Sequence, residues 1–169
     1  VGYTTDFDGV FTLDKKLDDK TYNFLLKLNE SRRMKRDVSK LPSSGFEKYG
    51  FDSWGEEGEF YVDGGGSHGQ DHEESILEYN WEPKTQPGLW CQWMPDEDRI
   101  TIRWDGGEKF YCYIEWLEYI IEKVLEPRDY KLSGIVSWQG EEASDFGQIK
   151  VENNEISSRL GKMGYGPWE

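Results

Sequence analysis

Residues 108–126, EKFYCYIEWLEYIIEKVLE, carry the strongest helix signal in the chain. Phe110, Tyr113, Ile114, Leu117, Ile120, Ile121, Val124 and Leu125 recur at the spacing that forms one wide apolar face. Glu115, Glu118 and Glu122 fall on the wet side, and Pro127 stops the run. A helix with so broad an apolar face needs a sheet to cover. Strand signals flank it on both sides. Residues 89–94 and 99–104 surround Pro95, Asp96, Glu97 and Asp98 and read as a β-hairpin with Ile100, Ile102 and Trp104 on one face. Residues 130–138 and 148–151 read as a second hairpin, joined by an acidic loop over 139–145.

The N-terminal part repeats the theme. Residues 10–13 read as a strand, and Asp18 is a good N-cap with Leu17 and Tyr22 placed as a hydrophobic staple. The spacing of Thr21, Phe24, Leu25 and Leu28 predicts a helix from Asp19 to about Ser31. After a long irregular connection over 32–58, residues 59–63 alternate as a strand does, ended by Gly64, Gly65, Gly66 and Ser67. The order β-α-β-β followed by β-α-β-β suggests a duplicated unit. Two amphipathic helices can share one apolar sheet face, so the expected fold is a two-layer α+β sandwich: a mostly antiparallel sheet with both helices on one side. Residues 1–156 read as a single α+β domain, and 157–169 as a loosely held tail.

With 169 residues the chain fits one core. Lys plus Arg number 20 and Asp plus Glu 34, giving a formal net charge of -14. That argues against direct nucleic-acid or membrane-surface binding, both of which need clustered positive charge. Mean hydropathy is -0.85, yet 8 Trp, 10 Tyr and 8 Phe supply enough large rings for a core. Cys91 and Cys112 sit in apolar contexts and read as free core thiols, which fits a reducing compartment. Asp6 and Asp8 stand where a signal peptide would be basic, and no apolar run approaches the length of a membrane span. The expected location is cytoplasmic.

The runs Thr85-Gln86-Pro87-Gly88-Leu89-Trp90-Cys91-Gln92-Trp93 and Trp104-Asp105-Gly106-Gly107-Glu108-Lys109-Phe110-Tyr111 resemble segments of a group of small acidic bacterial and phage proteins of uncharacterised function. Gly2-Tyr3-Thr4-Thr5 and Arg32-Arg33-Met34-Lys35-Arg36 are similar too. The resemblance implies no activity, cofactor or catalytic residue.

Four features carry candidate chemistry. Trp90 and Trp93 have opposite strand parity, so at most one faces the helices; with Trp104 and Trp138 they offer flat rings for a ligand or partner. Arg32, Arg33 and Arg36 concentrate positive charge near the end of the first helix, where they complement its dipole or bind a phosphate or carboxylate. His68, Asp71 and His72 are weak metal candidates, because no known ligand spacing is present; no metal and no cofactor are expected. Acid-rich loops, with Glu141 and Glu142 foremost, give a negative field complementary to a basic partner. Together these predict a non-catalytic acidic binding or inhibitor protein of the toxin-immunity or phage counter-defence kind, acting on a basic partner protein by imitating nucleic acid. The alternative is a small-ligand protein whose Trp/Arg pocket takes a nucleotide or sugar. The third reading is a hydrolase using paired carboxylates such as Asp105 with Glu108, Glu141 with Glu142, or Asp6 with Asp8.

Overall fold

The computed structural model describes residues 2–64 and 73–169. Its main element is a six-stranded sheet in the order β4-β5-β1-β6-β7-β8, every neighbouring pair antiparallel. The strands are β1 (Asp6–Leu13), β4 (Trp93–Pro95), β5 (Thr101–Trp104), β6 (Leu132–Gln139), β7 (Phe146–Glu152) and β8 (Glu155–Leu160). The short strands β2 (Lys35–Arg36) and β3 (Ile76–Glu78) pair separately. The helices are α1 (Asp19–Glu30), capped by Asp18, whose side chain accepts from the Thr21 N–H, and α2 (Tyr113–Tyr119), which continues as a π-helical stretch, Ile120–Leu125.

The α+β expectation holds, and the alternation that drives it is visible in burial. Phe11 and Leu13 of β1, Ile102 of β5, Leu132, Val136 and Trp138 of β6, and Ile149 and Val151 of β7 face inward. They join Phe24, Leu25 and Leu28 of α1, Trp116 and Leu117 of α2, and Ile120, Ile121, Val124 and Leu125 beyond it in one core. Because both helices bury their apolar faces there, the other sheet face stays open: Val10 is 45% and Ile135 50% exposed. Phe7 packs edge-to-face against Trp93, Trp104, Phe110 and Tyr113 at 5.0–5.8 Å, so the rings substitute for scarce aliphatic side chains. Among the described residues, no helix is long and apolar enough to cross a membrane.

Several boundaries differ from expectation. Residues 59–63 form turns rather than a strand, because Glu59 is turned into a buried polar cluster. The second helix starts at Tyr113 instead of residue 108: Lys109 and Cys112 have φ of 58° and 56°, in the left-handed region that a right-handed helix cannot contain. Phe110 is buried all the same, which is why the apolar pattern ran on. Cys91 is a buried thiol but Cys112 is exposed. The expected tail from residue 157 begins inside β8, since residues 157–160 pair with β7; the two Asn of the tight turn, Asn153 and Asn154, take positive φ and fold the chain back. Nor is the sheet two side-by-side repeats, because β1 sits at its centre between β5 and β6.

Candidate functional site

The open face of the sheet is a grid whose rows are set by strand register. One row runs Asp8, Ser137, Gln148, Arg159; the row above it runs Asp6, Gln139, Phe146. Side chains two apart on a strand share a face, so Asp6, Asp8 and Arg159 all lie on the open face, the two carboxylates at its β1 end and the guanidinium at its β8 end. Gly9 and Gly134 have φ of 111° and 147°, and at each an added Cβ would lie 2.6 Å from a carbonyl oxygen of the neighbouring strand, Ile135 and Val10 respectively. The face holds a groove of about 680 Å³, lined by Asp6, Asp8, Trp138, Gln148, Arg159 and Lys162 among others. Its floor is ordered: Gln148 Nε2 donates to Ser137 Oγ at 3.4 Å, while Gln148 Oε1 accepts from Arg159 Nε at 2.9 Å and Nη2 at 2.6 Å.

The acidic end is braced by the β6–β7 loop. Asp145 accepts from Trp138 Nε1 at 3.0 Å through one oxygen and from Tyr3 Oη at 2.7 Å through the other. Tyr3 Oη also accepts from the Glu142 N–H at 3.2 Å, and the Thr4 N–H donates to Glu141 Oε1 at 2.7 Å. Around the Tyr3 hydroxyl the Glu142 N–H favours the phenolate most. The Asp145 bond, desolvation and the charges of Asp145 and Glu142 outweigh it, and the Tyr3 pKa is raised. Tyr3 therefore stays a neutral donor that locks the loop. Glu141 and Glu142 remain exposed, and the ion pairs among the described residues include neither of them nor Asp6 or Asp8.

The other sequence candidates go elsewhere. Arg33 is buried: its guanidinium donates to Gln86 Oε1, Ser31 Oγ and the carbonyls of Glu59 and Tyr61 at 2.8–3.3 Å, and burial lowers its pKa to about 10. Arg36, also buried, donates to Glu73 at 2.6 Å and Ser75 at 2.9 Å. Arg32 stacks on Tyr79 and donates to its carbonyl. The three arginines thus tie the chain after α1 to residues between Glu59 and Gln86, which takes them away from the groove. Trp93 is buried with its Nε1 donating to the Tyr113 carbonyl; Trp104 is half-buried with Nε1 on Gln92; Trp90 is half-buried in the approach to β4. The exposed indoles are Trp81 and Trp168, which strand parity does not single out. Of these four Trp, only Trp138 borders the groove, and it does so as a residue 6% exposed and turned into the core.

His68, Asp71 and His72 lie outside the described residues. Asp105 accepts from Asn29 and from the Gly107 N–H, so its carboxylate shapes a turn. Asp6, Asp8 and Arg159 were missed as a group because β8 read as tail; the alternation Asp6, Asp8, Val10, Thr12 was the available signal. No family model matches the chain, and neither a curated protein nor a solved structure was found to be similar.

Proposed function

We propose that the protein is a non-catalytic acidic binding protein that occupies the basic site of a partner protein, in the manner of a toxin-immunity or counter-defence inhibitor. The observation that carries this reading is the acidic end of the β1–β6 pair, where Asp6 and Asp8 on the open face and Glu141 and Glu142 on the braced loop beside it form no ion pair among the described residues. Pre-organised carboxylates lose little freedom on docking, and their field speeds encounter with a basic surface. Carboxylates spaced along strands offer the same charge that phosphates offer, so a nucleic-acid-handling partner would lose access to its substrate. The Trp/Arg ligand pocket has less support, since Arg33, Arg36 and Trp93 are committed to the interior.

The test is capture of the partner from the source cell followed by titration calorimetry at several salt concentrations. The partner is expected to be basic, and affinity should fall steeply between about 50 and 300 mM salt. Asp6→Lys with Asp8→Lys, or Glu141→Lys with Glu142→Lys, should weaken binding at least tenfold. Salt-independent affinity, or unchanged binding by both double variants, would overturn the reading.

A further inference from the structure

We infer that the outer edge of β8 pairs with β8 of a second copy, antiparallel, joining two sheets into one. The two edges of the sheet are treated differently. β4 is three residues long, ends in Pro95, which has no N–H to offer, and has α1 and α2 packed against it. β8 is six residues long, contains no proline, and is exposed at every position except the half-buried Ile156. Leu160, at its end, is 73% exposed. Such an edge is a template for a further strand, and proteins that stay monomeric guard it.

The hydrogen-bonding groups point the right way. The Gly161 N–H donates to the Phe146 carbonyl at 2.8 Å in the same register that pairs Gly147 with Leu160 and Glu152 with Glu155. Main-chain groups alternate sides along an antiparallel strand, so the odd positions of β8 turn to β7. Ile156, Ser158 and Leu160 therefore turn their N–H and C=O outward. A two-fold axis through Ser157 puts Ile156 opposite Ser158 of the partner subunit, and both pairs can exchange two hydrogen bonds. It also puts Glu155 opposite Arg159 of the partner subunit, twice, on the open face and at the closer, non-hydrogen-bonded positions. Moving the axis to Ser158 would leave Glu155 facing a glycine and Arg159 facing a serine, so charge selects the first register.

Local charge also permits the approach. On a chain of net charge -14, residues 146–162 hold three cations, Lys150, Arg159 and Lys162, against two anions, Glu152 and Glu155. The acidic end of the open face lies toward β1 and β6, away from this edge, so pairing does not bring Asp6 and Asp8 of the two copies together.

Sedimentation equilibrium of the full chain from about 5 to 500 μM, in about 0.15 M salt, tests this. A strand-edge contact is small, so association on the order of tens of micromolar is expected, with the mass moving from 19.8 kDa toward twice that value. Glu155→Arg and Arg159→Glu should each weaken self-association at least tenfold, because each sets like charges opposite one another. Mixed in equal amounts, the two variants should associate again, since both cross-strand pairs are then restored in trans. Ser158→Pro removes an outward N–H without touching the β7 ladder and should be monomeric, with a circular dichroism spectrum like that of the parent. A monomer at the highest concentration, a dimer that survives Ser158→Pro, or single variants that fail to recombine would each overturn the proposal.

Discussion

Cys91 and Arg33 share a buried polar environment and respond to alkali in opposite senses. Burial, first among the causes, pushes the Cys91 thiol up from 9.0 to about 12, so the fold favours the neutral thiol. That contribution is complete below pH 9 and is lost as pH rises from 9 toward 12. Arg33 runs the other way: its folded pKa of about 10 lies below the ordinary 12.5, so the unfolded chain holds the proton more tightly and stability gains from about pH 10 upward. Tyr49 and Tyr119, raised chiefly by burial from 10.0, begin to cost stability only near pH 10. Between pH 9 and 10 the thiols therefore dominate: Cys91 alone accounts for a loss of about 1 kcal/mol, and Cys112, raised from 9.0 by burial and by the charges of Glu115 and Glu82, adds in the same sense. Urea unfolding of Cys91→Ala should show lower stability at pH 8, from the void it leaves, and a shallower fall between pH 9 and 10, the remainder belonging to Cys112. Parallel profiles for the two proteins would refute the assignment. The same cluster shows the limit of reading a site from sequence. Five residues holding Arg32, Arg33, Lys35 and Arg36 read as a surface patch because charge is written in the sequence and burial is not. Arg33 is tolerated inside only because nearby Ser31 and, from two other stretches of chain, Gln86 and the carbonyls of Glu59 and Tyr61 meet its donors.

At the level of elements, the strands and helices that alternate or repeat cleanly were legible: α1 with its Asp18 cap, the β4–β5 and β6–β7 hairpins, and the apolar stripe after Tyr113. What was hidden carries little apolar pattern of its own. β8 carries only Ile156 and Leu160 as apolar residues because it is an edge strand with little to bury, so no periodicity announces it. The sequence reads as a strand from Val10, whereas β1 begins at Asp6. Gly9 lies inside the strand, where its φ of 111° suits glycine and an added Cβ would lie 2.6 Å from the Ile135 carbonyl oxygen of β6. Gly9→Ala should cost about 2 kcal/mol or more in urea unfolding, through strain in the central strand pair. Ser137→Ala, one strand away on the open face, should cost under about 1 kcal/mol. Equal, small losses would mean that the close approach of β1 and β6 relaxes freely.

For the molecule as a whole, 34 acidic against 20 basic side chains leave a net repulsion that the ion pairs do not cancel. Most of those pairs are at the surface, with side chains such as Lys84 and Glu56 largely exposed, and contribute about 0–1 kcal/mol each. Screening should then relieve more repulsion than it removes attraction, so Tm should rise by a few degrees between about 10 and 300 mM NaCl. A fall in Tm would mean that the ion pairs outweigh the excess charge. The same reasoning separates folding from function. Asp6→Lys with Asp8→Lys lowers the net negative charge at exposed positions that form no ion pair among the described residues, and it should raise Tm at low salt and flatten its salt dependence. If those carboxylates face a basic partner, that stabilised variant should also bind at least tenfold more weakly, and loss of binding could not then be laid to misfolding. Carboxylates kept unpaired at a cost in stability are what a surface shaped for a cationic partner requires. A variant that is more stable and binds as well as the parent would place the partner surface elsewhere on the molecule.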